Sequence, residues 1–186
     1  MSTVFIFHGT GGSPDGIWIP WLKERLQSDG HTVIAPAFPD PDHPVLQTWL
    51  DHFEQFRQRV DASSIFVGHS LGGAFALRLL ERLELRIAAT FLVASVSGIM
   101  GNDIDPLVST FNVPPYDWNA IHNRSRSFSV IHSDNDPYIP LSQAEHLARS
   151  LGTTVMLVPG EGHFSTDQGY TAFPFLLERI TSSYPD

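Results

Sequence analysis

The sequence predicts a doubly wound α/β domain: a mostly parallel six-stranded sheet with helices on both faces. Three observations predict it. Six short runs are rich in apolar, β-branched or aromatic residues, and five of them are nearly continuously apolar, as strands buried on both faces of a parallel sheet require. Segments with helical spacing of apolar residues separate these runs, so strand and helix alternate along the chain. The 186 residues, 42% of them hydrophobic, suffice for one sizeable core, so residues 1–186 read as a single domain.

The first strand is expected at residues 3–8 and the first helix at 17–28. A second strand at 31–35 leads to a helical segment at 45–60, and a third at 64–67 leads to a helix at 71–83. In that helix Leu71, Ala74, Phe75 and Leu79 share one side, which leaves Arg78, Glu81 and Arg82 to face out. The remaining strands fall at 87–93, 127–132 and 153–158, with helices at 143–151 and 170–182 after the last two. Residues 98–124 break the rhythm. They carry Pro106, Pro114 and Pro115 and exceed an ordinary connection, so this stretch is expected to be functional or to cap something. No internal repeat, low-complexity tract or charge block marks a linker or disordered tail.

Composition removes several classes of function. Eleven Lys and Arg against 20 Asp and Glu give a formal charge of −9, so no general basic field exists to hold a nucleic acid or an anionic membrane surface. Cysteine is absent, which excludes disulfides, thiolate metal sites and a cysteine nucleophile. The longest apolar run, residues 87–94, is far short of the about 20 residues a membrane helix needs. Residues 1–7 lack the features of a signal peptide, and the expectation is a soluble cytoplasmic protein with no membrane partner. The histidines are scattered and no H-E-x-x-H occurs, so no metal or other cofactor is expected. Asp103 and Asp105 sit beside Gly101 and Asn102 and read as turn residues.

The sharpest motif is Gly68-His69-Ser70-Leu71-Gly72-Gly73, a G-x-S-x-G between the third strand and its helix. A chain of this length shows the bare pattern by chance with a probability of about 0.1, so its placement matters more than its letters. At a strand-to-helix turn, glycines on either side let the backbone bend sharply and present the Ser70 hydroxyl above the sheet edge. The helix start supplies the Leu71 N–H as a free donor near the positive end of the helix dipole, fit to hold an oxyanion. The alternative is that Ser70 is a helix N-cap.

His8-Gly9-Thr10-Gly11-Gly12 follows the first strand. Where the first and third strands flank the point of reversal, this loop lies beside Ser70, and the Thr10 N–H is the natural second oxyanion donor. His8 and Gly9 are then pocket candidates. A nucleotide loop is disfavoured, because Pro14 occupies the last glycine position of G-x-G-x-x-G and no G-K-[ST] follows.

A serine hydroxyl needs a base, and the base is best held in one tautomer by a carboxylate. His163 lies in Pro159-Gly160-Glu161-Gly162-His163-Phe164, after the last strand and on the same sheet edge as Ser70. His132, His146 and His69 read as structural. The acid belongs to Asp134-Asn135-Asp136-Pro137, where Pro137 biases Asp136 to an extended backbone and Asp134 suits a turn. The order Ser70, Asp136, His163 is that of triads built on α/β-hydrolase sheets. Phe111, Tyr116 and Trp118, in the long connection, either line an acyl pocket or pack that connection onto the domain.

On these motifs, with Pro114-Pro115-Tyr116-Asp117-Trp118, Asp134-Asn135-Asp136-Pro137-Tyr138-Ile139-Pro140 and Gly162-His163-Phe164, the sequence resembles a known family over nearly its whole length. It is similar to the small lidless α/β-hydrolases of the retinoblastoma-binding protein 9 and YdeN-like group. The resemblance implies a sheet order of 2-1-3-4-5-6, Ser70 as nucleophile, Asp136 as acid and His163 as base. One departure is informative: without cysteine the L-x-C-x-E element of retinoblastoma binding is missing, so that partner is not carried over. The expected activity is hydrolysis of small carboxylic esters through an acyl-enzyme. The alternatives are an acyltransferase or thioesterase using the same three residues, or a catalytically silent binding module. Because the base must be neutral to accept a proton, ester hydrolysis is expected to fall as the solution is acidified, and a rate profile flat from neutral to acid would contradict the assignment.

Overall fold

Strand and helix alternate along the chain as the apolar pattern requires. The computed structural model describes residues 1–183. β1 (Thr3–Phe7) leads to α1 (Ile19–Ser28), and β2 (Thr32–Ile34) to α2 (Leu46–Phe53), which runs on into a 3-10 helix (Glu54–Arg59). β3 (Ile65–His69) turns directly into α3 (Leu71–Leu80), and β4 (Ala89–Val93) precedes α4 (Asp105–Asn112) and α5 (Trp118–Arg124). Then follow β5 (Phe128–His132), α6 (Leu141–Ser150), β6 (Val155–Leu157) and α7 (Pro174–Thr181).

Among the described residues the six strands form one sheet in the order β2-β1-β3-β4-β5-β6, and every neighbouring pair is parallel. The chain winds outward from β1 to β2, then returns to β3 and winds the other way. The reversal lies between β1 and β3, so a crevice opens at their carboxyl ends.

Each central strand sends alternate side chains into two separate cores. Phe5, Phe7, Phe66, Leu92 and Val130 pack under α2, α3 and α6, whereas Val4, Ile6, Ile65, Val67, Phe91 and Ile131 pack under α1 and α7. Both faces are covered, which is why these strands read as continuous apolar runs. The first core is largely aromatic: Phe38 stacks on Trp49 at 4.3 Å, and Phe75 meets Phe7 edge-on at 5.3 Å. No helix among the described residues is long and apolar enough to cross a membrane.

One expectation fails in this part of the chain. Residues 98–124, expected to be functional or to cap something, carry α4 and α5, and Arg78, expected to face out, is buried with every other residue from Leu71 to Leu80. The cause is that α4 and α5 lie against α3 and cover the side that faces water when α3 is considered alone. Arg78 serves as their anchor. Its Nε donates to the Phe111 carbonyl (2.8 Å), one terminal nitrogen donates to the Pro114 carbonyl, and the other donates to the Glu81 carboxylate (2.9 Å). Its guanidinium also sits 3.9 Å from the centre of the Tyr116 ring, and Glu81 accepts the Asp117 N–H (2.8 Å). A planar fork with several donors can satisfy this many acceptors at once where a lysine cannot.

Removing the guanidinium takes its buried cation from the Glu81 carboxylate and this donor from the Phe111 and Pro114 carbonyls. Arg78→Ala is expected to lower the unfolding free energy by about 3–5 kcal/mol, measured by urea denaturation. Arg82→Ala, at a half-exposed neighbour, is expected to change it by less than about 1 kcal/mol.

Candidate active site

β3 ends at His69 and α3 begins at Leu71, so Ser70 alone makes the turn. Its backbone sits at φ 52° and ψ −120°, a conformation that costs a non-glycine residue about 1–3 kcal/mol and survives only where the surroundings enforce it. They do so by proximity. A Cβ on Gly72 would lie 2.1 Å from the Phe7 carbonyl oxygen, and one on Gly73 would lie 1.9 Å from Ser95 Oγ. On the loop side, a Cβ on Gly9 would come within 2.9 Å of Ser70 Cβ. The Ser70 N–H donates to the Val93 carbonyl (2.9 Å), while the Ser70 side chain makes no capping hydrogen bond to α3. Ser70 therefore occupies the N-cap position of α3, with the glycines packed closely as that alternative has it, but its hydroxyl does no capping.

Leu71, the first residue of α3, has an N–H with no acceptor inside the helix. In the loop after β1, the Gly11 N–H donates to the Pro41 carbonyl (2.7 Å) and the Gly12 N–H to the Gly9 carbonyl (3.1 Å). The Thr10 N–H takes no part in these loop bonds, and Thr10 borders the same cavities as Ser70.

His163 Nδ1 donates to Asp136 Oδ2 at 2.7 Å. The other carboxylate oxygen accepts the N–H groups of Tyr138 (2.9 Å) and Ile139 (3.0 Å). Burial pushes the Asp136 carboxyl up, but the hydrogen bond and charge of His163, with the two N–H donors, outweigh it and hold the group below the usual carboxylate range. Asp136 is thus an anion, its two oxygens oriented in different directions by backbone and imidazole.

The loops that carry this pair are joined along their length. Gly160 N–H donates to Asp134 Oδ1 (2.8 Å), Glu161 N–H to Ser133 Oγ (2.9 Å) and Gly162 N–H to Asn135 Oδ1 (2.7 Å). Asp134, expected to make a turn, instead holds the β6 loop, and the bond to His163 is made by Asp136. Beyond these bonds the His69 imidazole, with Nε2 protonated, donates to the His163 carbonyl (2.9 Å), and Trp18 Nε1 donates to the Phe164 carbonyl (3.2 Å). His69, which reads from the sequence as structural, is not a bystander: the residue covalently next to Ser70 holds the backbone of His163.

Three other histidines near the site are kept neutral by burial. His69 is pushed down to about 3 by burial and by the charge of His163. His132 is lowered by burial against the raising effect of Asp136, and its Nε2 donates to the Ile139 carbonyl (3.0 Å). His8 is lowered by burial against its hydrogen bond to Gly9; its Nδ1 donates to the Gly9 carbonyl (2.8 Å) while Nε2 accepts the Phe38 N–H (3.2 Å).

Two cavities meet at Ser70. One, of about 320 Å³, is walled by Val96, Ile104, Leu107, Val108, Tyr138 and Ile139, with Thr10 and His163 at its mouth. The other, of about 190 Å³, runs under the glycine-rich loop past His8 and Gly9, and His69, Ser70 and His163 also border it. The structure thus brings Ser70, His163, Thr10, His8 and Gly9 together. It does not bring Phe111, Tyr116 or Trp118 to them. Phe111 is fully buried against Trp49 and Phe75, and Tyr116 and Trp118 line a separate shallow cavity with Asn112 and His146. These aromatics pack the connection, and the apolar wall at Ser70 comes from α4 instead. A larger cavity, of about 460 Å³, lies at the opposite edge of the sheet near Ser2 and Ala88 and contains none of these residues.

The profile of the serine hydrolase family matches residues 4–182. The chain belongs to that family. It is 31% identical over 183 residues to hydrolase YdeN of Bacillus subtilis, covering 97% of this chain and 95% of that one. The crystal structure of the B. subtilis ydeN product superposes with a TM-score of 0.93, covering 98% of each chain at 29% identity. Serine hydrolase RBBP9 of Rattus norvegicus is 25% identical over 179 residues (95% of this chain, 94% of that one), and cutinase est1 of Thermobifida alba 30% over 158 (72% and 50%). The sheet order matches the one the family resemblance implied.

Sequence reasoning missed several residues of this serine hydrolase's site. Ile104, Leu107, Val108 and Phe111 follow helical i, i+3, i+4, i+7 spacing, the signal that would have revealed α4 and its wall. Ser133 and Asn135 carry no such signal, since short polar residues after a strand read only as a turn. His69 offers a quantitative test. Between its folded value of about 3 and an unfolded value near 6.5, the unfolded chain binds a proton that the folded chain does not, so acidification through this range destabilises the fold. His69→Gln is expected to reduce the loss of unfolding free energy between pH 7 and pH 5 by about 2 kcal/mol, read from urea titrations at the two pH values. An unchanged difference would contradict a neutral buried His69.

Proposed function

We propose that this serine hydrolase cleaves small carboxylic esters through an acyl-enzyme, with Ser70 as nucleophile, His163 as base and Asp136 as the acid that orients it. The observation that carries the reading is the 2.7 Å bond from His163 Nδ1 to an anionic Asp136, made where His163 and Ser70 face one cavity. With Nδ1 committed to the carboxylate, the lone pair of neutral His163 is on Nε2, the tautomer a general base needs.

Ser70 Oγ attacks the ester carbonyl while His163 takes its proton, and the imidazolium so formed lies against the Asp136 carboxylate. The carbonyl oxygen, now an anion, is held by the N–H groups of Leu71 and Thr10, worth about 3–4 kcal/mol each in comparable sites. The C–O bond to the alcohol breaks, and His163 returns the proton to the leaving oxygen. Water, deprotonated by the same imidazole, then releases the carboxylic acid and restores Ser70. The strain at Ser70 keeps its hydroxyl clear of α3, so no capping bond has to be broken before attack. Similarity to a protein named as a cutinase supports the choice of an ester as substrate.

Purified protein is expected to react with a fluorescent fluorophosphonate and to hydrolyse p-nitrophenyl acetate. Ser70→Ala should abolish labelling and lower turnover by a factor of about 10⁶, and Asp136→Asn should lower turnover about 10⁴-fold while the fold persists. Folded wild-type protein that neither labels nor turns over would overturn the reading.

A further inference from the structure

His132 ends β5, directly before the loop that carries Asp136, and takes no part in the acyl-enzyme chemistry. Its side chain is fully buried, and so is that of Asp136, with Nε2 4.0 Å from Asp136 Oδ2. One atom of the ring is engaged: Nε2 donates to the Ile139 carbonyl (3.0 Å), while Nδ1 has no hydrogen-bond partner among the described residues. The backbone behind the ring is fixed by the sheet, where His132 stands opposite Leu157 and its carbonyl accepts the Val158 N–H (2.9 Å).

Residues 133–140 are tied differently on the two sides of Asp136. Before it, Ser133, Asp134 and Asn135 are bonded to the β6 loop. After it, Pro137 and Pro140 bring no N–H. There the exposed Asn102 donates to the Tyr138 carbonyl (3.2 Å), and the buried His132 donates to the Ile139 carbonyl. Ile139 is thus held from both directions, since its N–H donates to Asp136 Oδ1 (3.0 Å). A continuous run of hydrogen bonds leads from the end of β5 through His132, Ile139 and Asp136 to His163 Nδ1.

We propose that His132 is a positioning residue for the triad: by holding the Ile139 carbonyl it fixes the Asp136 carboxylate where His163 Nδ1 meets it, a role that rests on the ester-hydrolysis reading. A neutral imidazole suits this place. At 4.0 Å its N–H is beyond hydrogen-bond reach of Asp136 Oδ2, so that oxygen is left to His163. A lysine or arginine there would set a cation against Asp136 and compete with the imidazolium that His163 becomes. Ile139 also walls the cavity at Ser70, so His132 has two routes to the reaction, and kinetics separate them. A displaced acid lowers kcat, whereas a displaced wall raises KM.

The test compares His132→Gln, whose amide N–H has about the reach of Nε2, with His132→Met, of similar length but without a donor. With p-nitrophenyl acetate, His132→Met is expected to lower kcat about 30-fold with KM changed less than about twofold, within the about 100-fold that a 1 Å displacement can cost. His132→Gln should stay within about threefold of the wild type. The same pair is made in Asp136→Asn and read by single-turnover release of p-nitrophenol at high enzyme concentration. There the loss from His132→Met should shrink to less than about threefold, because the carboxylate through which His132 acts is already gone. Should His132→Met fail to fold by urea denaturation, His132→Asn, whose amide falls short of the Ile139 carbonyl, takes its place with the same expectations.

An equal loss in His132→Gln and His132→Met overturns the proposal, as does a loss that persists undiminished in Asp136→Asn or a change confined to KM. In each of these cases ester hydrolysis stands, provided that wild-type Ser70 is labelled by fluorophosphonate and Asp136→Asn is impaired. If the wild type neither labels nor turns over, or Asp136→Asn is as active as the wild type, the reading of the triad and the role of His132 fall together.

Discussion

The close approach of α3 to the carboxyl edge of the sheet is the constraint on which the rest of the site depends. Two consecutive glycines let the first turn of α3 come within a distance of Phe7 and Ser95 that no side chain would permit. Placed so near, the chain has one residue in which to pass from strand to helix, and Ser70 takes a left-handed φ to do it. The strain is offset by burial of the whole of α3, which no solvated turn could match. A free N–H at Leu71 and an uncapped hydroxyl at Ser70 are consequences of that one packing decision.

A second device serves the other half of the site. His163 and Asp136 lie on separate loops, after β6 and β5, and a single bond between imidazole and carboxylate would not hold two flexible segments in register. Three successive N–H groups of the β6 loop are taken up by Asp134, Ser133 and Asn135, so the loops behave as one unit. His69 and Trp18 then tie the carbonyls of His163 and Phe164 to the body of the protein. The His69 bond is the direct link between the serine turn and the histidine loop, and burial, by keeping His69 neutral, prevents it from placing a positive charge beside His163.

Residues 98–124 show how one buried cation can organise a segment that looks irregular. Arg78 gathers two carbonyls, a carboxylate and an aromatic face, and thereby fixes α4 and α5 over α3. With α4 anchored, Leu107 and Val108 wall the Ser70 cavity, while Phe111, one turn further, reaches the core. Stability and the apolar wall of the site are therefore coupled through the same helix.

The amino-acid sequence by itself determined the strands, because continuous apolar runs such as those of β3 and β4 are stable only when covered on both faces, and this alone implies a parallel sheet wrapped by helices. It also determined which residues compete for the chemistry, since a serine between glycines at a strand-to-helix turn and a histidine after the last strand can meet only at the carboxyl edge. The tertiary structure decided what lies against what. That Arg78 is buried, that His69 holds His163 and that the wall at Ser70 is Leu107 and Val108 rather than Tyr116 and Trp118 all depend on which segment covers which. Local periodicity records how a helix divides into faces; the neighbour on each face is set by contacts between residues distant in the chain, and those exist only once the sheet has closed its order.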